Sequence, residues 1–347
     1  MRALTISEHG GFDRIDVRDD LAVPDVRSPA DVRIRVRAAA INHLDVFVIG
    51  GLPGVTIRPP WILGTDACGV VDQVGADVRH VKVGDRVVVN PGISDRSCEY
   101  CLAGEHPLCV KFAVLGEHVP GTIAEYIVVP GTNARAIPHG VSDEQAAAFT
   151  LATLTAWRMV VSRARVTADD EVLIWGIGGG VAQAALQICK QIGAKVWVTS
   201  SDNAKLERAR ALGADELLNH RELEVGKHIR QQTGKRGVTV VVDNVGEATW
   251  NQSLLALGRG GRLVTCGGTS GPMVTSDVRR LFWNQWSIMG STMGNDAEFE
   301  AVVAELSAGR LLPVIDSVFP LERGRQAFER MADGSQFGKI VITPPKN

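Results

Sequence analysis

The sequence predicts an α/β protein built from two domains, a β-rich module and a doubly wound parallel sheet. Its 347 residues are more than a single hydrophobic core usually organises. The first part, from Met1 to about Gly140, reads as short strands separated by glycines. After Glu171, apolar runs of strand length alternate with helical patterns, which is typical of a parallel sheet with helices on its faces.

Composition and charge exclude several classes of partner. The formal net charge is −2 and the isoelectric point is near 6.5, and no basic cluster offers a surface for nucleic acid or an anionic membrane. Hydrophobic residues make up 45% of the chain, yet no stretch approaches the ~20 apolar residues of a membrane span. The N-terminus shows no signal-peptide pattern. We therefore expect a cytoplasmic protein that acts on a small molecule, without nucleic acid or membrane partners.

The first domain is predicted to be a compact antiparallel module of barrel-like form. Val32 to Val36 alternates apolar and charged residues, as a half-exposed strand does. Further short strands are predicted over Val70 to Val74, Val81 to Val83, Val87 to Val89 and Ala124 to Val129. Gly75 and Gly84 separate several of these strands as turns.

Three of the six cysteines are crowded together inside this first domain, in the pattern Asp95-x-x-Cys98-x-x-Cys101-x7-Cys109. Three thiolates and one carboxylate on a loop match a closed tetrahedral zinc site. Crowded cysteines in a cytosolic chain also favour a metal over disulfides. His106 is an alternative fourth ligand in place of Asp95, and cysteines that bind no metal are a further alternative. Because no coordination position stays open, we predict a structural zinc rather than a catalytic one.

The start of the second domain predicts the phosphate-binding corner of a dinucleotide fold. Glu171 to Trp175 is an apolar strand, and a glycine-rich turn follows from Gly176 to Gly180. A helical pattern then runs from Val181 to Gly193, which is placed as a C-cap, and Lys195 to Thr199 is the next strand. This order places free backbone N–H groups and a positive helix end where a pyrophosphate binds.

The residues assigned to this phosphate site are Gly176, Gly179, Gly180 and Val181. The spacing is Gly176-x-x-Gly179-x-x-Ala182 and not the full G-x-G-x-x-G fingerprint. A glycine turn that only closes the corner between strand and helix is therefore the alternative interpretation.

The later elements continue the alternation of helices and strands. Helices are predicted over Thr150 to Val161, Ala204 to Leu212 and Glu298 to Leu306, and strands over Val238 to Asp243, Arg262 to Cys266, Ser287 to Ser291 and Phe337 to Ile342. Asn244 and Gly267 directly follow two of these strands at their carboxyl ends, where cofactor contacts belong. Both residues are assigned to the cofactor site.

Several motifs occur in one order along the chain: Asn42-His43-Leu44-Asp45, Gly64-Thr65-Asp66, Gly69-Val70-Val71, Val83-Gly84-Asp85-Arg86-Val87, the cysteine loop and the glycine turn. In this order the chain resembles the medium-chain dehydrogenase/reductase superfamily, which includes zinc alcohol dehydrogenases and quinone reductases. The resemblance implies a GroES-like catalytic domain over residues 1–150, completed by about 310–347, and a Rossmann domain inserted over residues 151–309. It also implies a homodimer, with a homotetramer as the alternative.

The chain departs from the zinc alcohol dehydrogenases at the positions that hold their catalytic metal. A cysteine, a histidine and a second cysteine in those enzymes correspond to Asn42, Thr65 and Leu151. None of the three is a good zinc ligand, and a leucine cannot be one. The hydroxyl and histidine that pass the alcohol proton to solvent correspond to Leu44 and Phe47. The resemblance therefore implies a structural zinc without a catalytic zinc.

The resemblance also locates the residues that choose between NAD and NADP. The acid that would bind the ribose of NAD corresponds to Ser200, where a hydroxyl leaves room for a 2′-phosphate, and Lys205 is a plausible counter-charge. His220 corresponds to a position where related quinone reductases often carry a ring beside that phosphate. Together with Ser201, these residues predict that the cofactor is NADP(H). The alternative roles are a helix N-cap for Asp202 and a solvated surface position for Lys205.

Together with the resemblance, these residues predict an NADPH-dependent reductase of quinones or of activated C=C bonds in enones, enals or enoyl thioesters. Such substrates carry their own electron sink, so the protein must align the hydride, exclude water and hydrogen-bond the oxygen that gains charge. Asn42 is the first candidate for that donor and Thr65 the second, while Asp45 and Asp66 shape the site. Thr155 corresponds to a family position that contacts nicotinamide. A zinc alcohol dehydrogenase with unusual ligands and a non-catalytic NADPH-binding protein are the alternatives.

Overall fold

The structure is a computed structural model that describes residues 1–345, and it divides into two compact units. The first unit contains Met1 to Leu154 together with the chain from Gly294 onward. The second unit contains Thr155 to Met293 and is therefore continuous in sequence.

The elements are named in chain order. The strands are β1 Ala3–Ile6, β2 Ile15–Arg18, β3 Asp31–Ala40, β4 Trp61–Ile62, β5 Asp66–Val74, β6 Arg86–Val89, β7 Gly92–Ile93, β8 Ala113–Val114, β9 Tyr126–Pro130, β10 Ala134–Ala136, β11 Glu171–Ile174, β12 Lys195–Ser200, β13 Glu216–Asn219, β14 Val238–Asp243, β15 Leu257–Thr265, β16 Ser287–Gly290, β17 Ile315–Pro320 and β18 Lys339–Thr343. The helices are α1 His43–Gly50, α2 Glu99–Leu102, α3 Asp143–Ala147, α4 Thr150–Trp157, α5 Gly180–Ile192, α6 Asn203–Ala211, α7 Val225–Gln232, α8 Glu247–Ala256, α9 Val278–Asn284, α10 Asp296–Ser307 and α11 Gly324–Ala332. None of these described helices has both the length and the apolar character needed to cross a membrane.

The first unit is organised by a mainly antiparallel sheet in which β3 has a central place. Within the described residues the strand order is β10-β6-β5-β3-β18-β17, and β9 also pairs with β3. Along β3, Val32, Ile34 and Val36 are buried while the arginines between them are partly exposed, which is the predicted alternation. These side chains share one core with apolar residues of β5, β6 and α11.

The predicted strand at Val81 to Val83 is wrong, because this segment forms a turn. The Asp85 carboxylate accepts the N–H of Lys82 at 2.9 Å, and the N–H of Asp85 donates to the Lys82 carbonyl at 3.0 Å. Gly84 adopts φ 92° in this turn, a conformation that costs a glycine little. The alternating valines resemble a strand, but the turn chemistry of Gly84 and Asp85 decides the structure.

The second unit contains a parallel sheet with the strand order β13-β12-β11-β14-β15-β16 in the part of the chain that the structure describes. This order confirms the predicted doubly wound Rossmann fold. Helix α5 ends at Gly193 in the left-handed conformation, with φ 96°, as a C-cap glycine should. The helix predicted from Thr150 continues beyond Trp157 as a π-helix over Arg158–Arg163.

The chain returns to the first unit at Gly294, which is earlier than the predicted boundary near residue 310. Helix α10 therefore belongs to the first unit and not to the Rossmann unit. Two ion pairs connect α10 to the rest of the first unit: Arg96 lies 2.6 Å from the carboxylate of Asp296, and Arg135 pairs with Glu300. The amphipathic pattern of α10 indicates a helix, but it cannot tell which core the apolar face packs against.

Candidate active site and metal centre

The polar residues predicted for the active site converge at one end of the sheet of the first unit. Strands β5 and β18 lie on either side of β3, and Ala40 at the end of β3 is in register with both Asp66 and Val341. Asn42 follows β3 as the N-cap of α1. Lys339 is the first residue of β18. The sheet register therefore places residues that are distant in sequence in one buried cluster.

Asp66 is the hub of this cluster and is completely buried. One carboxylate oxygen accepts the hydroxyl of Thr150 and the N–H of Leu151, each at 2.7 Å. The other oxygen accepts the Asn42 amide at 2.9 Å and the Lys339 ammonium at 3.1 Å. Both oxygens are thus doubly hydrogen-bonded, and a buried charge of each sign is paired. The prediction that Asp66 shapes the site by hydrogen bonds agrees with this geometry.

Asn42 uses every polar atom of its side chain inside the protein. Its amide donates to the Thr65 hydroxyl oxygen at 2.7 Å and to Asp66. Its carbonyl oxygen accepts from Lys339 through a short contact. The amide is the predicted donor to the substrate oxygen, and in this structure both of its hydrogens already have acceptors. A substrate oxygen must therefore displace one of these contacts.

The residues at the predicted catalytic-metal positions do not fit a metal ion. The oxygen of Asn42, its only ligand atom for a cation, is held by the positively charged ammonium of Lys339. The Thr65 hydroxyl oxygen accepts from Asn42, and Leu151 offers no side-chain ligand. Zinc in proteins is bound by thiolate, imidazole or carboxylate groups, and none of these three residues supplies one.

Asp45 lies beside this cluster on α1 with 1% of its surface exposed. One carboxylate oxygen accepts the backbone N–H of Asn42 at 2.7 Å, and the other has no partner among the described residues. Burial raises the pKa of Asp45 to about 7, although the N–H of Asn42 and the charge of Lys339 act to lower it. Asp45 therefore gains or loses a proton near neutral pH.

The second predicted site, the cysteine cluster, is assembled as expected in the loop around α2. One ligand atom from each of Asp95, Cys98, Cys101 and Cys109 lies within 4.8 Å of the others. The alternative ligand His106 faces elsewhere: its Nδ1 accepts the N–H of Asp296 at 3.4 Å. Of the two candidates for the fourth position, Asp95 is the one present in the cluster.

The chemistry of this donor set fits a zinc ion. The N–H groups of Ser97 and Cys98 each donate to one oxygen of Asp95 at 3.0 Å, and they hold the pKa of this carboxyl well below its usual range. The other oxygen is left for a metal. The sulfur of Cys109 accepts the N–H of Asp95 at 3.2 Å and that of Lys111 at 3.4 Å. Such N–H···S contacts offset part of the negative charge of thiolate ligands.

In the second unit, the glycine turn after β11 has the properties of a phosphate cradle. Gly176 adopts φ 68°, which favours glycine. A Cβ atom on Gly179 would meet only the Gly176 carbonyl oxygen, at 3.6 Å, so packing within the protein does not require a glycine there. Gly179 is the N-cap of α5 and offers no side-chain cap, and Gly180 and Val181 begin the helix. The first N–H groups of α5 are therefore left for an anion.

The residues predicted to read the ribose lie at the end of β12 and the start of α6. Ser200 is the last residue of β12, and its hydroxyl oxygen accepts the N–H of Asp202 at 3.1 Å. Asp202 accepts the N–H of Ala204 at 2.8 Å, so its carboxylate caps α6, as the alternative interpretation held. Ser201 and Lys205 are partly exposed on either side of this cap.

His220 lines a pocket of about 290 Å³ at the carboxyl ends of β11, β13 and β14, together with Trp175, Leu223 and Val245. Its ring centre lies 6.3 Å from that of Trp175. Burial lowers the pKa of His220, and the charge of Arg221 lowers it further. A neutral ring among apolar side chains suits an aromatic base better than a phosphate, so His220 is a poor counter-charge for a 2′-phosphate.

The remaining predicted cofactor residues also lie in the second unit. Asn244 directly follows β14, and its side-chain oxygen is buried without a partner among the described residues. Gly267 lies just beyond β15. The hydroxyl of Thr155 is buried 3.9 Å from the sulfur of Met293. Asn244 and Gly267 thus share the carboxyl edge of the sheet with the glycine turn.

Sequence reasoning missed two residues that the structure places in these sites. Lys339 begins a strand whose next residues are apolar, and a lysine at a strand end usually reads as an exposed position. Trp175 reads as the last residue of a buried strand, yet it lines the pocket and its indole N–H has no acceptor among the described residues. Neither carries a local signal, because both roles depend on residues that are distant in sequence.

Two family models match separate parts of the chain, and the second extends over α10. The family described as alcohol dehydrogenase GroES-like domain matches residues 28–139. The family described as zinc-binding dehydrogenase matches residues 180–308.

Similar proteins cover nearly the whole chain. The human quinone oxidoreductase is 29% identical, over 99% of this chain and 97% of that protein. The acryloyl-coenzyme A reductase of Sulfurisphaera tokodaii is 29% identical, over 93% of this chain and 95% of that protein. A crystal structure of an NAD-dependent alcohol dehydrogenase superposes with a TM-score of 0.94 at 41% identity, over 99% of both chains.

Proposed function

We propose that this chain, which belongs to the medium-chain dehydrogenase/reductase superfamily, is an NADPH-dependent reductase of activated C=C bonds or quinones. Family membership makes the chain an oxidoreductase. The substrate class and the preference for NADPH are the parts that we add.

The observation that carries this proposal is the contact between Lys339 and Asn42. An ammonium occupies the oxygen that would have to bind a catalytic zinc. Oxidation of a simple alcohol in this family relies on that metal to stabilise the alkoxide. An enone or a quinone needs no such metal, because its own conjugated system spreads the charge that hydride transfer creates. The cluster therefore suits a substrate that brings its own electron sink.

The names of similar proteins fall into two groups. Quinone oxidoreductase and acryloyl-coenzyme A reductase name reductions of conjugated systems, whereas NAD-dependent alcohol dehydrogenase names the other reaction. Overall identity does not favour the reductases, since the alcohol dehydrogenase structure is 41% identical and the two reductases are each 29% identical. The ligand set of this chain does, because Asn42, Thr65 and Leu151 cannot replace two cysteines and a histidine.

We assign the stabilisation of the developing oxyanion to the Asn42 amide. NADPH supplies the hydride when it is bound. Asn42 is 7% exposed, whereas Thr65 is completely buried. The bond from Asn42 to Thr65 joins neutral groups and contributes about 0.5–1.5 kcal/mol, while the bond to the Asp66 carboxylate contributes about 1.5–3 kcal/mol. The substrate oxygen therefore takes the hydrogen that Thr65 accepts in the free protein.

The preference for NADPH rests on the end of β12. Ser200 offers a hydroxyl where an acid would repel a 2′-phosphate. Ser201 and Lys205 are close to Ser200 in the sequence and lie on either side of the N-cap of α6. The neutral His220 contributes to the pocket for the base and not to charge recognition.

A screen of NADPH oxidation tests the proposed activity. The panel contains quinones, 2-enones, 2-enals and enoyl thioesters, with ethanol and secondary alcohols plus NADP⁺ as the comparison. We expect reduction of at least one conjugated substrate, which persists after mild chelation that leaves the fold intact. Chelator-sensitive oxidation of simple alcohols would contradict the proposal.

The cofactor preference is tested by Ser200→Asp. The new carboxylate repels the 2′-phosphate, so affinity for NADPH should fall roughly tenfold to a hundredfold, the equivalent of one charge-assisted hydrogen bond. NADH should then become the better cofactor. Equal affinities of the wild type for NADH and NADPH would show that this part of the proposal is wrong.

The donor assignment is tested by comparing Asn42→Ala with Thr65→Val. Loss of one oxyanion donor typically lowers turnover by about 10²–10³, so Asn42→Ala should lower it at least tenfold without changing NADPH affinity. Thr65→Val removes the competing acceptor and should leave turnover intact. The opposite result would transfer the role to Thr65.

We further propose one structural zinc, bound by Asp95, Cys98, Cys101 and Cys109, and assembly as a homodimer. The zinc is supported by the cluster of ligand atoms within 4.8 Å. The dimer is supported by an exposed apolar surface on α9 and β16, where Phe282 and Trp283 are 64% and 73% exposed.

A further inference from the structure

The side chain of Asn42 lies between two buried groups of opposite charge. The Lys339 ammonium, 5% exposed, donates to the Asn42 oxygen, to the Ile41 carbonyl at 2.9 Å and to Asp66 at 3.1 Å. An ammonium has three hydrogens, and these three acceptors use them all. The Asp66 carboxylate meanwhile accepts from the Asn42 nitrogen at 2.9 Å.

This arrangement distinguishes the two orientations of the amide. The oxygen and nitrogen of an asparagine side chain are nearly equal in size, so packing alone does not choose between them. In the observed orientation the ammonium faces the oxygen and the carboxylate faces the nitrogen. A reversed amide would place its hydrogens against the ammonium and its oxygen against the carboxylate. Both contacts would then be repulsive.

We propose that Lys339 and Asp66 are positioning residues that act as an electrostatic clamp on Asn42. The clamp keeps an N–H, and never an oxygen, directed at the place where the substrate gains negative charge. The ammonium also draws electron density toward the amide oxygen and makes the N–H a stronger donor. The expected effect on turnover rests on the proposed function. The orientation of the amide does not, because it is a property of the free protein.

Removing both charges together tests the clamp. A single Lys339→Met or Asp66→Asn variant leaves one buried charge without its partner and should be destabilised. The double variant Lys339→Met/Asp66→Asn has no unpaired charge and should recover much of that stability. Its new amide at position 66 can still accept from Thr150 and Leu151, but it presents an NH₂ group to Asn42. The Asn42 amide should therefore reverse.

We expect turnover of the double variant to fall at least tenfold relative to wild type, as for loss of one oxyanion donor. Its melting temperature should nevertheless be higher than that of either single variant. Its affinity for NADPH should be unchanged. If turnover recovers together with stability, the ion pair has a purely structural role and the clamp is wrong. The control is Arg33→Met/Asp72→Asn, a half-buried ion pair of 2.6 Å elsewhere on β3 and β5, which should leave turnover unchanged.

A measurement on the free protein separates this inference from the proposed function. In protein labelled with ¹⁵N at asparagine, the wild-type Asn42 NH₂ group, which is held by Thr65 and Asp66, should exchange slowly with solvent. Exchange should become at least tenfold faster in the double variant, because the reversed amide loses the carboxylate acceptor. Unchanged exchange would overturn the clamp even if the wild type proves to be an active reductase. Faster exchange would support it even if no substrate in the panel were reduced.

Discussion

At the scale of single residues, Asp45 shows how burial shifts the pKa of a carboxyl group. Its carboxyl is almost completely buried and has one oxygen without a partner among the described residues. Ionisation in such a place is costly because water is excluded. The pKa is therefore raised from 3.8 to about 7, even though the ammonium of Lys339 opposes the shift.

This shift predicts a pH-dependent stability. The folded protein holds the Asp45 proton more tightly than the unfolded chain does, so the stabilisation is complete below pH 3.8 and is lost as the pH rises through about 7. The loss is about 4 kcal/mol, at about 1.4 kcal/mol per pKa unit. Asp45→Asn removes the titrating group, so its free energy of unfolding should rise relative to wild type between pH 5 and 7, at about that slope, and level off above about pH 8.

Denaturant unfolding across this pH range measures the effect. Asp77→Asn, at an exposed position, is the matched control and should change the pH dependence little. A constant difference between Asp45→Asn and wild type at all pH values would show that Asp45 is ionised in the folded protein throughout.

At the scale of elements, the loop around α2 is the part of the chain whose folding would depend on the proposed zinc. The described part of this loop has only a four-residue helix and a short turn, and its cysteines are not paired in disulfides. So small a loop has little core of its own, and a bound metal would provide folding free energy. Leu102, Leu108 and Val110 are exposed on the same loop.

The purified protein should contain one zinc per chain, as metal analysis would show. Asp95→Ala removes a ligand and should lower the zinc content and the melting temperature. His106→Ala is the matched comparison, because this histidine contacts Asp296 and not the cysteine cluster; it should keep the zinc. If zinc is lost from His106→Ala and kept in Asp95→Ala, the ligand assignment is reversed.

The elements also show what sequence patterns can and cannot predict here. The strand, glycine turn and helix around α5 are predictable because their signals are local: an apolar run, a glycine-rich turn and a C-cap glycine at Gly193. The cluster of Asp95, Cys98, Cys101 and Cys109 is predictable because the spacing of these residues is local too. By contrast, the unit to which α10 belongs is decided by contacts with distant parts of the chain, among them the pairing of Asp296 with Arg96 and of Glu300 with Arg135. Likewise, Lys339 and Asn42 are separated by 297 positions, so no window of sequence connects them.

At the scale of the whole molecule, one surface of the second unit is unusually apolar. Val278, Phe282 and Trp283 on α9 and Ile288 on β16 are all exposed. Strand β16 is an edge strand, since in the described residues its ladder partner is β15 alone. Exposed apolar side chains beside the unpaired edge of a sheet are typical of a surface that binds another protein chain. A twofold axis would pair β16 with the same strand of a second copy.

Light scattering after size-exclusion chromatography should therefore give the mass of a dimer. Phe282→Asp/Trp283→Asp places two charges in the apolar surface and should shift the population to monomer at micromolar concentration. Val83→Asp, at another exposed valine in the first unit, should leave the mass unchanged. A wild-type monomer would rule out the proposed assembly, and a tetramer would require a further interface.

The late position of Lys339 in the chain has a consequence for the order in which the protein matures during synthesis. The second unit is continuous in sequence and can fold while the ribosome is still translating the residues that follow it. The first unit cannot complete its sheet until β17 and β18 have emerged. A nascent chain can therefore hold a finished dinucleotide fold while Asp66 still lacks its cation, so competence for chemistry is the last property that the growing polypeptide acquires.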